Sequence, residues 1–309
     1  TGGGCPHILA EPQRTNLLPY SEDLSQWNLK QGTETLNYGI SPDGTQNSTR
    51  IVFSGANLQF SNIFTTVTPT VGSIFIKGVN GETINFGLDS SETIFTLNGS
   101  WQRFEKSGTS TSNKITINTF GGATARDIQV YGGQVEGGTY ATSYIPTSGS
   151  AVTRNQDVFT RDGIASLINS PAGVLFVEMA ALSDDNTDRR LSLNDGSQDN
   201  QIVIGYSRFT GKVVGEVFSG GSIQNIDWGA TGVTQTNNNK FALSWGSGTM
   251  KFYTNGSQTN IETGISSPTG LNYFRFSYGD STTKMFAKVK QLQVYKTALT
   301  DTQLAALTS

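Results

Sequence analysis

Aromatic side chains in polar surroundings are the residues of this chain with the clearest chemical potential. Trp228 stands in DWGATG (227–232), which is typical of a loop after a polar strand, so its large ring is expected to be exposed to water. An exposed ring offers a flat apolar surface to the C–H groups of a sugar. Four further residues are secondary candidates for the same ligand-binding role: Tyr38, Tyr206, Arg208 and Tyr273.

The other tryptophans are expected to be structural. Trp245 shares one face of a predicted strand with Phe241 and Leu243, so it is predicted to lie in a core. Trp27 and Trp101 are likewise assigned to packing.

Carboxylate and amide oxygens with the spacing of a calcium loop form a second group. Asp184, Asn186 and Asp188 alternate, and Asp195 stands at the twelfth position counted from Asp184. Arg189 occupies the position where such a loop needs glycine. The alternative, a polar hairpin without an ion, is therefore the favoured interpretation, and calcium would be a structural ligand.

Cysteine and histidine counts exclude several kinds of site. The chain has one Cys, Cys5, and one His, His7. An internal disulfide, a zinc site built on these residue types and a serine–histidine–aspartate triad elsewhere in the chain all lack parts. A Cys5–His7 nucleophile pair is disfavoured because three glycines precede it and an orienting third group is not evident.

Composition favours an all-β protein with two domains. The 309 residues exceed what one core usually supports, and 36 glycines accompany 35% hydrophobic and only 15% charged residues. With 21 Lys and Arg against 24 Asp and Glu, no basic stripe is available for nucleic acid. The longest apolar stretch, 174–182, contains Glu178 and is far too short to insert into a membrane.

Alternating segments separated by turn signals predict antiparallel strands, and a composition shift divides them near residue 148. We expect two consecutive antiparallel β-sandwiches (jelly rolls), 1–148 and 149–309, followed by a short C-terminal helix that begins with a Thr300–Gln303 capping box. The predicted strands are 73–77, 83–88, 93–97, 101–106, 114–120, 127–135, 173–180, 190–193, 201–206, 211–218, 241–245, 250–254, 273–278 and 287–295.

Two strings in the first half carry a resemblance. EPQRTNLLPYSEDLSQW (11–27) and GQVEGGTYATSYIPT (133–147) resemble modules of bacteriophage tail and receptor-binding proteins, which are similar to carbohydrate-binding jelly rolls. That resemblance implies a structural calcium site at Asp127, completed by the segment 11–16.

The second half resembles the concanavalin A-like (laminin G-like) lectin and glucanase family through VLFVE (174–178), FYTNG (252–256) and VKQLQVYKTALT (289–300). Glucanases of that family carry Glu-x-Asp on one strand, where alternate carboxylates share a face. No Glu of this chain has an acidic residue two positions on: Glu178 is followed there by Ala180 and Glu216 by Phe218.

The leading hypothesis is a non-enzymatic virion protein, part of a phage tail fibre or similar appendage, that binds host-surface polysaccharide or another glycan. It would be located on the virion surface, outside the host cell, contact other virion proteins and possess the trimeric symmetry found in many phage fibres. Two alternatives stay open: a purely structural fibre or decoration module, and an accessory carbohydrate-binding region of a polysaccharide-degrading enzyme.

Overall fold

The chain forms two compact units, and its first strand belongs to the second of them. In the computed structural model, which describes residues 7–30, 32–55, 59–64, 70–89, 91–109, 113–120, 125–209, 211–227 and 232–309, the N-terminal sandwich comprises Gln13–Asn155. The C-terminal sandwich comprises Gln156–Ser309 together with residues 7–12, which carry strand β1 (Ile8–Leu9). Along the sequence, the N-terminal sandwich is thus inserted between two segments of the C-terminal sandwich.

The N-terminal sandwich contains twelve strands and a single 3-10 turn (Leu24–Gln26) among its described residues. The strands are β2 (Arg14–Asn16), β3 (Asn28–Lys30), β4 (Thr33–Ile40), β5 (Gln46–Phe53), β6 (Gln59–Ile63), β7 (Thr70–Lys77), β8 (Thr83–Leu88), β9 (Ser91–Thr96), β10 (Gln102–Gly108), β11 (Lys114–Asn118), β12 (Arg126–Gly137) and β13 (Val152–Arg154).

Two five-stranded antiparallel sheets enclose the core of this unit, in the orders β10-β7-β12-β5-β4 and β3-β6-β11-β8-β9. Alternate residues of the central strands, such as Ile74 and Ile76 in β7, are fully buried between the sheets. Trp27 is 5% exposed and stacks on Phe60 with ring centroids 5.1 Å apart, which confirms its packing role.

The C-terminal sandwich adds β14 (Thr160–Arg161), β15 (Gly173–Ala181), β16 (Arg189–Asn194), β17 (Gln201–Tyr206), β18 (Val213–Ser219), β19 (Ser222–Asp227), β20 (Asn239–Gly246), β21 (Thr249–Thr254), β22 (Ser257–Thr263), β23 (Tyr273–Arg275) and β24 (Ala287–Tyr295). Its two six-stranded sheets have the orders β1-β24-β15-β20-β21-β22 and β14-β23-β16-β17-β18-β19. A 3-10 turn (Ala165–Leu167) lies between β14 and β15.

The core of the C-terminal sandwich confirms the prediction for Trp245. Its ring is fully buried with Phe241 and Leu243, and its Nε1 donates to the Ser170 carbonyl at 2.9 Å. A buried indole needs such an acceptor because an unpaired N–H is costly away from water.

The C-terminal helix α1 (Asp301–Thr308) forms as predicted, with both hydrogen bonds of the Thr300–Gln303 capping box present. Leu304 is fully buried against Val174 and Phe176 on the outer face of the β15 sheet. The all-β class, the antiparallel sandwiches and the short terminal helix are therefore confirmed. No helix in the described ranges is long and apolar enough to cross a membrane.

The division of the chain differs from the predicted boundary near 148. Val152–Arg154 forms β13, which pairs with β2 in the N-terminal sandwich, so this unit extends to Asn155. At the other end, Ile8 pairs with Val289, so the start of the chain belongs to the C-terminal sandwich. A composition shift cannot reveal either pairing, because both depend on partners more than 130 residues away.

Candidate functional site

A polar row crosses the outer face of the sheet β10-β7-β12-β5-β4. Ile128 and Val130 of β12 are buried in the core, and Gln129 between them faces outward. Gln129 lies opposite Arg50 of β5 on one side and opposite Lys77 of β7 on the other. Directly paired residues share a face, so three central strands hold these polar side chains in one line.

The row borders an open groove of about 400 Å³. Tyr38 of β4 contributes an aromatic wall and remains 46% exposed. The described residues that line the groove are Tyr38, Lys77, Gly78, Val79, Asn80, Gly99, Asp127, Ile128 and Gln129. We call this cavity the Tyr38 groove.

An irregularity in β4 positions the tyrosine. The pairing of β4 with β5 shifts between Thr35 and Gly39, and Asn37 has a φ of 50°. Asparagine tolerates this left-handed conformation better than most residues. A Cβ on Gly39 would lie 2.5 Å from Oε1 of Gln129, so a larger residue there would require the Gln129 amide to move. Residues 37–39 are therefore a bulge within the strand.

An arginine–carboxylate pair lies beside the tyrosine. Arg50 donates from Nε to Asp127 Oδ1 at 2.8 Å and from Nη2 to Oδ2 at 2.6 Å. The guanidinium carbon of Arg50 is 5.1 Å from the ring centroid of Tyr38. The hydrogen bonds from Arg50 hold the pKa of Asp127 below its usual range, and they raise the pKa of Arg50. Both groups consequently stay charged at neutral pH.

In the structure Asp127 is held by Arg50, and its role as a calcium ligand stays a prediction. Arg50 engages both of its carboxylate oxygens, because the two residues are diagonal neighbours on β5 and β12. In the segment 11–16, Glu11 belongs to the C-terminal sandwich, and the Asn16 side chain is engaged by backbone groups that include the Ile145 carbonyl.

The acidic segment between β15 and β16 is a polar turn in the structure. Asp184 is exposed, and Asn186 has a φ of 60°. Asp188 pairs with Arg190 at 3.3 Å, while Asp195 accepts from Ser197 and Asn200. Among the residues described, His, Cys, Asp and Glu side chains do not cluster in groups of three or more that could hold a metal ion. Calcium binding itself stays a prediction.

The structure overturns one of the proposed aromatic platforms and leaves the leading one undescribed. Tyr206 is fully buried, donates to the Met179 carbonyl at 2.8 Å and packs edge-on against Phe241. It cannot contact a ligand, because its position in β17 faces the core. Trp228 lies outside the described residues.

Arg208 and Tyr273 do not form a shared site. Arg208 follows β17, where its guanidinium lies 3.8 Å from Asp188. Tyr273 is paired with Asn194 at the opposite end of β16, and Arg275 lies over its ring at 4.9 Å. Among the described residues proposed for ligand or metal binding, Tyr38 and Asp127 line one groove, and Arg208 contacts Asp188.

A second arginine–carboxylate–tyrosine group lies on the outer face of the sheet β14-β23-β16-β17-β18-β19. Arg190 Nε is 3.6 Å from Glu216 Oε1, Tyr278 donates to Glu216 Oε2 at 2.8 Å, and Arg190 lies 5.9 Å from the Tyr278 ring centroid. Burial raises the pKa of Glu216, against the opposing effect of Arg190.

Residues 276–286, which we call the covering segment, bury this second group. The Ser277 carbonyl accepts from the Ser192 hydroxyl at 2.7 Å, and the Gly279 N–H donates to the Gln201 side chain at 3.0 Å. The backbone of Lys284 forms an isolated β-bridge with that of Arg190. Glu216 is consequently 3% exposed and inaccessible to a sugar.

Sequence reasoning missed Arg50, Lys77, Asn80 and Gln129. A signal was present in β12, where Asp127 and Gln129 alternate with the apolar Ile128 and Val130 and so mark one polar face. Arg50 meets Asp127 and Gln129, which lie 77 and 79 positions further along the chain. Only the strand register reveals that these residues are neighbours.

Comparison with known proteins shows no matching family model and no matching curated protein. Solved structures that match share the sandwich architecture at low identity. The CBM40 of the Ruminococcus gnavus IT-sialidase, bound to α2,3-sialyllactose, has a TM-score of 0.41 and 19% identity, over 47% of this chain and 86% of that chain.

Two other structures are similarly distant. Domain 4 of AbnA, a GH43 extracellular arabinanase from Geobacillus stearothermophilus in complex with arabinotriose, has a TM-score of 0.42 and 18% identity, over 56% of this chain and 82% of that chain. The galectin LEC-6 of Caenorhabditis elegans has a TM-score of 0.33 and 15% identity, over 45% of this chain and 91% of that chain. The chain is similar to these β-sandwich proteins in architecture.

Proposed function

We propose that this chain is a non-enzymatic carbohydrate-binding protein and that the Tyr38 groove is its binding site. The observation that carries the proposal is the exposed Tyr38 ring beside a fixed Arg50–Asp127 pair on a sheet face. Aromatic rings contact the C–H faces of sugars, and paired oxygens and nitrogens at fixed spacing can bind hydroxyl groups.

The rest of the groove supplies the polar groups that such recognition needs. Lys77 and Gln129 come from the central strands, and Asn80 comes from the turn after β7. Sites carried on strands hold their side chains in place better than sites on loops, which lowers the entropic cost of binding.

A weak single-site affinity follows from this design. Each hydroxyl that exchanges water for a protein group contributes about 0.5 to 1.5 kcal/mol. Four or five such contacts contribute about 2 to 7.5 kcal/mol in all, so the dissociation constant is expected to be in the micromolar range or weaker. Several copies on one particle would multiply the avidity.

The absence of catalysis is part of the proposal. Asp127 is the one carboxylate among the described lining residues, whereas glycoside hydrolysis ordinarily uses two. Glu216, the other carboxylate on an outer sheet face beside an arginine and a tyrosine, is buried under the covering segment.

The biological setting is proposed from the sequence alone. The strings 11–27 and 133–147 resemble phage tail modules, which supports a trimeric appendage on the virion surface that binds a host glycan. Glycan binding would distinguish this setting from a purely structural module. The sequence of the full-length protein would distinguish it from an accessory region of a polysaccharide-degrading enzyme.

The test is an array of bacterial surface polysaccharides and common oligosaccharides, followed by calorimetry with the strongest ligand. Tyr38→Ala should weaken binding at least about tenfold, the equivalent of 1.4 kcal/mol, and leave the melting temperature unchanged because the ring is exposed. Leu36→Ala is the matched control, since Leu36 is 43% exposed on the same strand and does not line the groove.

Three results would contradict the proposal. Absence of any array binding would favour the structural module, and release of reducing ends during long incubation would establish an enzyme. If Trp228→Ala abolished binding while Tyr38→Ala had no effect, the carbohydrate site would belong to the C-terminal sandwich.

A further inference from the structure

A second cavity, of about 530 Å³, opens into the C-terminal sandwich and is almost entirely apolar. Leu193 and Phe274 line it from one sheet, Leu292 and Val294 line it from the other, and Leu167 lies at its mouth. The cavity is therefore a gap between the two sheets. Its volume falls within the roughly 300 to 1,000 Å³ of small-molecule sites.

The described side chains at one edge of this gap are incompletely buried. Among the described residues, strand β1 pairs with β24 at Lys288 and Val289, and Ala10 continues the pairing to Ala287. Further along β24, Leu292 and Val294 pack against the core but are only partly buried. Leu167, in the 3-10 turn beside them, is 60% exposed although it is apolar. These side chains would lose contact with water if a ligand occupied the cavity.

Positive charge is concentrated at the rim. Arg161 and Lys296 both line the cavity and are both exposed. Neither forms a salt bridge with a described residue, and none of the described lining residues is a carboxylate. An apolar interior with two cations at its entrance is complementary to a ligand that has an apolar chain and an anionic head.

We propose that this cavity binds a single-chain anionic amphiphile, specifically a fatty-acid carboxylate of medium length. The chain would lie between Leu193 and Val294, and the carboxylate would remain at the rim near Arg161 and Lys296. A sugar does not fit this chemistry, since its hydroxyl groups would have no described polar partners inside the cavity. The site is independent of the Tyr38 groove.

Calorimetry with the full chain and dodecanoate, kept below the concentration at which it forms micelles, tests the proposal. One dodecanoate should bind per chain. In decanoate and octanoate, binding should weaken about fourfold for each methylene removed. Dodecyltrimethylammonium has the same chain with a cationic head and should bind at least about tenfold more weakly.

Two variants locate the site. Leu167→Asp places a negative charge at the mouth and should reduce dodecanoate binding at least tenfold, on the order of 1.4 kcal/mol. Val158→Asp is the matched control, because Val158 is 69% exposed in the same unit and does not line the cavity. The double variant Arg161→Gln/Lys296→Gln should remove the preference for the anionic over the cationic amphiphile.

The proposal is overturned if dodecanoate does not bind, if affinity is independent of chain length, or if both amphiphiles bind equally to the unaltered chain. Equal losses in Leu167→Asp and Val158→Asp would also overturn it, as would uptake of many molecules per chain, which indicates surfactant adsorption.

Discussion

The same three chemical groups occur on the outer sheet faces of both sandwiches, in opposite surroundings. In the N-terminal sandwich, Arg50 and Asp127 keep 34% and 50% of their side-chain surface exposed beside the open Tyr38 ring. In the C-terminal sandwich, the side chains of Arg190 and Glu216 are each 4% exposed beneath Tyr278. The covering segment makes the Arg190–Glu216 group an interior polar cluster, whereas the Arg50–Asp127 pair remains on a surface available to ligands.

The two carboxylates show how strongly this burial changes the chemistry. The pKa of Asp127 is lowered, chiefly by hydrogen bonds from Arg50. The pKa of Glu216 is raised, chiefly by removal from water, although an arginine and a tyrosine are both nearby. Desolvation disfavours the charged form, and at Glu216 it outweighs the partners.

The largest expected difference follows from removing each arginine. Arg190→Ala leaves Glu216 buried without its cation and should lower the free energy of unfolding by about 3 to 5 kcal/mol. Arg50→Ala breaks an exposed pair that solvent screens, so its effect on the free energy of unfolding should be much smaller. Urea unfolding followed by circular dichroism measures both, and equal losses would show that burial does not separate the two groups.

Removing the tyrosine hydroxyls should give a smaller difference of the same sign. Tyr278→Phe deprives buried Glu216 of a hydrogen bond of 2.8 Å and should destabilise the protein by about 1 to 3 kcal/mol. Tyr38→Phe keeps the exposed ring and should leave the free energy of unfolding unchanged. If the two variants unfolded at the same urea concentration, the hydroxyl of Tyr278 would have no structural role.

The pH dependence of stability should have opposite signs for the two carboxylates. Glu216 has a raised pKa, so its contribution to stability is fully present below its ordinary value of 4.5 and is lost as pH rises through the folded-state pKa. Asp127 has a lowered pKa, so its contribution is present above its ordinary value of 3.8 and is lost as pH falls through the folded-state pKa.

Difference curves against Glu216→Gln and Asp127→Asn isolate these contributions. Unfolding measured from pH 7 to pH 2 should show the unaltered chain gaining stability relative to Glu216→Gln as pH falls. Relative to Asp127→Asn it should lose stability at the acid end. Curves of the same sign would contradict the contrast.

Calcium should have the smallest effect. Because Arg50 occupies both oxygens of Asp127, and Asp188 and Asp195 are engaged by neighbouring side chains, a chelator should not change the melting temperature. A structural ion at a hundredfold excess over its dissociation constant would contribute about 2.7 kcal/mol, so a clear fall in the presence of chelator would establish a calcium site.

Local patterns predicted some strands closely and missed others, both inside the sheets and at their edges. The bounds of β8, β17 and β24 agree with the alternation of apolar residues, because these strands pack against the core on one face. Strand β4 (TETLNYGI) is exposed along nearly its whole length, so burial leaves no pattern in it. No strand was predicted within residues 28–63, although β5 and β6 there contain buried residues.

The candidate site was predictable in its residue types and not in its assembly. Tyr38 and Asp127 were identified for separate roles, an aromatic platform and a calcium ligand. Their association depends on the bulge in β4 and on the diagonal between β5 and β12, which arise from strand register rather than local sequence. Tyr206 was predicted to bind a ligand and instead faces the core. A tyrosine near an arginine in the sequence is compatible with either position.

The pairing of β1 with β24 has a consequence for synthesis of the protein. Ala10 exchanges backbone hydrogen bonds with Ala287 in both directions, so the earliest strand of the C-terminal sandwich must wait for one of the latest. At about 5 to 20 residues per second, a ribosome needs tens of seconds to make the intervening chain. The partners of β2–β13 all emerge by residue 155, so the N-terminal sandwich can complete its core while the segment 8–10 is still unpaired. Vectorial synthesis thus favours the inserted unit first, and the C-terminal sandwich can close only after residues 287–295 have been made.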